Sequence, residues 1–126
     1  MDFRSALNKA IGLGPAHTGI HHWWLQRLTA VALLPLTLWL IWFMHQLVLL
    51  DHAGMLAWLG KPLNGALILA YVSIACYHAH LGLREVIVDY VHHPALRLTS
   101  LLGVWMVMLF LALLAWLSMI RIVAAG

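Results

Sequence analysis

The sequence has little charge and almost no sulfur chemistry: 9% of its 126 residues are charged, four are acidic, and Cys76 is the single cysteine. One thiol excludes an internal disulfide and leaves the redox compartment undetermined. No run of like charge occurs, and the formal net charge of +3 reflects scarcity of charge, so no nucleic-acid partner is expected. Internal repeats and low-complexity tracts are missing. So is the strict polar/apolar alternation that strands of a membrane barrel require. What is present is apolar: 64% of the residues are hydrophobic, and the mean hydropathy is +0.94. A chain this short cannot bury that much apolar surface within itself, which places it in the membrane class.

A membrane-crossing helix needs about 20 mostly apolar residues. Three segments meet that requirement: 24–48, 63–88 and 95–120. The expected fold is therefore an all-α membrane protein of one domain (1–126), with three transmembrane helices as antiparallel neighbours. Short connections enforce that arrangement. Pro62 and Pro94 stand where a first helical turn accepts proline, and Pro35 falls inside the first span, where it is expected to kink the helix. The segment "DHAGMLAWLGKP" reads as a linker. Of the seven Lys and Arg residues, Arg4, Lys9, Arg27, Arg84 and Arg97 flank one side, and Lys61 and Arg121 the other. Five against two predicts a cytoplasmic N-terminus and a periplasmic C-terminus. Neither a cleaved signal peptide nor an Arg- and Ser-rich transit segment is recognisable, so a multi-pass location in a bacterial inner membrane is expected.

The chemistry concentrates in "HAHLGLREVIVDYVHH", His78 to His93. At about 100° per residue, Tyr71, His78, Gly82, Glu85 and Asp89 share one helical face, while His80 points away from it. His78 lies about 16 Å from the cytoplasmic end of its helix, deep in hydrocarbon, where an imidazole requires a partner. Two readings fit. In one, His78 bonds a neighbouring helix and Gly82 lets the helices approach closely. In the other, His78 is an axial ligand of haem iron and Gly82 leaves room for the porphyrin.

A second axial ligand would have to lie at matching depth, near Leu34 or Met106, and neither place offers a histidine. A haem would therefore draw its second ligand from another polypeptide, with Met106 the weaker internal alternative. Arg27 either snorkels to the surface or pairs with an anion such as a haem propionate, with His21 as a possible helper. Asp89 and Tyr90 are either a helix-end carboxylate and an interfacial tyrosine or a pair that hydrogen-bonds and protonates a quinone. Glu85, on the same stripe, should be paired or protonated if buried.

Together, "HHWWLQRLTA" and "HAHLGLREVIVDYV" resemble the hydrophobic membrane-anchor subunit of succinate dehydrogenase, respiratory complex II. The first carries a His-x5-Arg pattern as His21 and Arg27. The second carries His-x3-Gly followed by Asp-Tyr, as His78, Gly82, Asp89 and Tyr90. The resemblance implies a subunit that docks a flavoprotein and an iron–sulfur protein, shares haem b with a second membrane anchor, the cytochrome b subunit, and forms part of a ubiquinone site. It implies that His78 is a haem axial ligand, that Arg27 and His21 meet the propionates, and that Tyr90 and Asp89 serve the quinone. Dicarboxylate catalysis would belong to the flavoprotein. The alternatives are an anchor for another quinone-linked enzyme such as fumarate reductase, or a haem-free membrane assembly protein.

Overall fold

The computed structural model describes residues 16–125, and the side chains of residues 20–124. Arg4 and Lys9, counted above for orientation, lie outside the described residues. Four helices follow in order: α1 (Ala16–Leu47), α2 (His52–Leu59), α3 (Pro62–Tyr90) and α4 (Pro94–Ala125). No strand occurs among the described residues. The long helices α1, α3 and α4 are each apolar enough to cross a membrane, which bears out the expected all-α, three-span architecture. At 1.5 Å per residue, α3 with its 29 residues is about 44 Å long. That exceeds the roughly 30 Å hydrocarbon core, so its ends stand in the headgroup layers.

Proline sets two of the helix starts. Pro62 occupies the first turn of α3 after Lys61, whose backbone is extended (φ −63°, ψ 127°). Pro94 opens α4 in the same way. In both places the missing N–H would have had no intrahelical partner, so proline costs nothing there. By contrast, α1 runs through Pro35 as one helix from Ala16 to Leu47.

The segment expected to be a linker holds the short helix α2. Asp51 caps it: its Oδ1 accepts the Gly54 backbone N–H at 2.9 Å. Trp58 fastens α2 to the end of α1. Its ring stacks on Phe43 at 4.2 Å between centroids and 13° between planes, with Trp39 and Trp42 at 6.0 and 6.4 Å. The Asn64 side-chain amide donates to the Trp58 carbonyl at 2.9 Å, which ties α2 to α3 as well.

The long helices form a row with α3 in the middle. Both α1 and α4 pack on α3, whereas among the described residues α1 and α4 share at most a marginal contact. Small residues permit the approach. Gly65 of α3 is buried, and a Cβ added there would stand 2.9 Å from the Met119 methyl of α4. Nearby, Trp116 Nε1–H donates to Ser73 Oγ at 3.2 Å across the same interface. Only Phe43, Leu81 and Met119 are buried hydrophobic side chains among the described residues. Hydroxyls on α4 bond back to their own helix, Thr99 to the Ala95 carbonyl and Ser118 to the Leu114 carbonyl, which satisfies them in an apolar setting.

Candidate functional site

The polar side chains of α1 and α3 meet about three turns inside the end where α1 begins. His78 lies twelve residues before Tyr90, the last residue of α3, and Leu28 lies twelve residues after Ala16, the first residue of α1. Antiparallel helices bring those depths together, and His78 meets the two polar side chains that flank Leu28. Its Nδ1 is 2.8 Å from Thr29 Oγ1, and its Nε2 is 3.4 Å from Gln26 Nε2. The matching depth on α1 is therefore shallower than Leu34. Counting from Trp24 set it too deep, because α1 starts eight residues earlier.

Thr29 Oγ1 lies 2.8 Å from the Leu25 carbonyl, with the Gln26 carbonyl at 3.1 Å. In the tautomer that carries its proton on Nδ1, His78 donates to Thr29 Oγ1, whose own proton goes to the Leu25 carbonyl, and the Nε2 lone pair faces the Gln26 amide. Gly82 lies one turn along on the same face, and its only near contact for an added Cβ is the Gln26 amide nitrogen, at 3.4 Å.

Two more polar atoms on this side of α1, Gln26 Oε1 and His22 Nδ1, are buried and have no hydrogen-bond partner among the described residues. His22, Gln26 and Thr29 are spaced i, i+4, i+7 and so share a face. The sequence expectation had placed His21, not His22, near an anion. His21 is exposed on the neighbouring face, with its ring 6.5 Å from that of His22. Arg27 is also exposed, and its guanidinium lies over the Trp23 ring at 4.3 Å from the centroid. A cation over an indole is a recognised attractive geometry, and it holds the Arg27 side chain toward the Trp23 and Trp24 pair.

The remaining expected residues follow α3 toward its end. Glu85 is exposed and pairs with Arg84 at 3.1 Å. Asp89 is exposed, and the Tyr90 ring is 79% exposed at the last turn. His92 Nδ1–H donates to the Tyr90 carbonyl at 3.1 Å, closing the helix end. His78 and Tyr90 are therefore about 18 Å apart along α3. They do not form one site. His80 faces the other way, into an open cleft toward Trp105 and Met108 of α4, and its Nδ1 has no partner. Met106 is 64% exposed. Among the described residues, no three His, Cys, Asp or Glu side chains converge.

Thr29, Gln26 and His22 were missed by sequence reasoning. Their spacing relative to Arg27 carries the signal, since a polar i, i+4, i+7 stripe entering an apolar helix must face another polar group.

Comparison with known proteins identifies the family. Residues 1–119 match the family model described as succinate dehydrogenase/fumarate reductase transmembrane subunit. A succinate dehydrogenase hydrophobic membrane anchor subunit of Rickettsia conorii is 40% identical over 102 residues, which cover 80% of this chain and 81% of the relative. The protein of the same description in Rickettsia bellii is 39% identical over 104 residues, 82% of each chain. In Paracoccus denitrificans another is 33% identical over 81 residues, 64% of this chain and 63% of the relative. No solved structure matches the chain significantly. With three membrane-spanning helices and bacterial relatives of this kind, it is a multi-pass protein of the bacterial inner membrane. The chain belongs to the succinate dehydrogenase/fumarate reductase transmembrane subunit family.

Proposed function

We propose that the chain is the membrane anchor of a succinate:ubiquinone oxidoreductase, that it binds haem b jointly with a companion anchor, and that it forms one wall of a quinone site. The observation that carries this reading is the state of His78. Its Nδ1 lies 2.8 Å from Thr29 Oγ1, and its Nε2 meets only the flexible Gln26 amide, at 3.4 Å, which an incoming group would displace.

The residues fit a haem. An axial ligand requires an unprotonated imidazole nitrogen, which His78 Nε2 would supply in the tautomer whose Nδ1–H bonds Thr29. Gly82 brings no side chain to the adjacent turn, and only the flexible Gln26 amide approaches it. Buried Gln26 Oε1 and His22 Nδ1 offer unmet hydrogen-bonding capacity toward the polar edge of such a group. Arg27 and His21, exposed at the same end, supply charge and a donor for propionates once a companion chain covers that face. When bound, the haem supplies a one-electron redox centre within the membrane. The second axial ligand comes from the companion anchor.

At the end of α3, the Tyr90 phenol donates a hydrogen bond to a quinone carbonyl, and Asp89 beside it supports proton delivery. Both are exposed, as a wall shared with another subunit requires. This end faces the cytoplasm by the Lys and Arg count, where the flavoprotein and iron–sulfur subunit dock. The family description covers succinate oxidation and fumarate reduction, and the relatives' names favour the former.

The test is mild-detergent extraction of the tagged chain from its native membrane. A flavoprotein, an iron–sulfur protein and a second anchor are expected in equal amounts, with a haem b spectrum. In that complex His78→Leu should remove or alter the haem. Tyr90→Phe should lower quinone reduction and leave succinate oxidation with a soluble acceptor near normal. Recovery of the chain alone, from an extract whose other respiratory complexes survive, would overturn the proposal.

A further inference from the structure

We infer that Thr29 is the positioning residue for His78: its hydroxyl fixes the tautomer and ring plane that leave Nε2 available to iron. The inference rests on the proposed haem ligation by His78 and goes beyond it.

The argument comes from proton bookkeeping among four groups. Thr29 Oγ1 lies 2.8 Å from the Leu25 carbonyl and 2.8 Å from His78 Nδ1. With iron on Nε2 the ring proton must sit on Nδ1, so Thr29 Oγ1 accepts it, and the single hydroxyl proton goes to the Leu25 carbonyl. The back-bond also fixes where that oxygen sits. As a β-branched residue, threonine has few χ1 choices, and the backbone bond selects one of them. The acceptor for Nδ1–H is therefore held by α1, while the imidazole is carried by α3. Ligation geometry on one helix is set by a hydroxyl on another.

Imidazoles that bind metals commonly donate their second N–H to an oxygen acceptor, which sets the tautomer, holds the ring plane and raises the basicity of the ligating nitrogen. Among the described residues Thr29 Oγ1 is the only oxygen bonded to His78, and the other polar contact, Gln26, reaches the ligating nitrogen itself. Thr29 is therefore the residue placed to play this part.

The experiment uses the intact complex in its native membrane. Thr29→Val keeps the shape and removes the acceptor, and Thr29→Ser restores it. Thr29→Val should still assemble but hold haem about tenfold more weakly, in line with the 10–100-fold cost of losing such an outer partner. Its haem midpoint potential should move positive, because a less basic imidazole favours the ferric state less, and its low-spin ferric electron paramagnetic resonance signal should shift. Thr29→Ser should return all three toward the parent. If Thr29→Val leaves affinity, potential and resonance signal unchanged while His78→Leu abolishes the haem, the positioning role is refuted and the ligand assignment stands. If His78→Leu also leaves the haem unchanged, the ligation proposal itself falls. Should Thr29→Val fail to assemble, Thr29→Ala and Thr29→Ser decide the matter: equal potentials in those two refute the role.

Discussion

The junction of α1 and α2 offers a quantitative test of how this fold is held. Phe43 is 2% exposed and packs in a three-ring cluster with Trp39, at 5.7 Å and 14°, and Trp58, at 4.2 Å and 13°. In a soluble core, Phe→Ala costs about 3–5 kcal/mol, of which about 1.5–3 kcal/mol is transfer out of water. In a membrane the separated helices keep that ring in lipid, so the transfer part largely cancels. About 1.5–2 kcal/mol should remain from lost packing. The Phe43–Trp58 stack should account for about 0.5–1.5 kcal/mol of that as a specific coupling. A double-mutant cycle with Phe43→Ala and Trp58→Ala measures it. Unfolding in mixed micelles with rising SDS can be followed by labelling the single thiol, Cys76, which is half-buried on α3. If the two substitutions add within about 0.3 kcal/mol, the pair does not couple and the stacking argument fails. A Phe43→Ala cost near zero would show that lipid fills the gap.

Two further outcomes follow from local contacts. Asp51→Ala removes the acceptor for the Gly54 N–H and should destabilise α2 by about 0.5–2 kcal/mol; amide exchange at Gly54 and Met55 should quicken, and Asp51→Asn should retain most of the protection. Gly65→Leu drives a side chain into the Met119 methyl, 2.9 Å from the Cβ position, and into the Leu59 carbonyl at 3.3 Å. It should cost about 1–3 kcal/mol in the same unfolding assay. Pairing it with Met119→Ala should recover part of the loss. No recovery would mean that the Leu59 backbone, and not Met119, sets the limit.

The three spans were legible because each is a long apolar run bounded by proline or by charge, and proline at a helix start is a local rule that context rarely overrides. His78 stood out because an ionisable group at mid-membrane has few uses. The helix α2 was not legible as such: with eight residues, it is held by Asp51 and by the docking of Trp58. Asp three residues before Gly54 was the available signal, and it is weak alone. The partners of His78 were missed for a different reason. The Gly- and Pro-rich entry hid the true start of α1, and an eight-residue error in a helix start moves every matched depth by about 12 Å.

A row of helices with α3 in the middle has two broad sides and almost no interior. A copy made without its companions has little to resist proteases or random association, since cells continuously clear chains whose folded state is thinly stabilised. Its abundance would then be governed by the supply of its neighbours, through mass action, more than by its own synthesis. Overproducing this chain alone should raise its turnover and leave the amount of assembled enzyme unchanged.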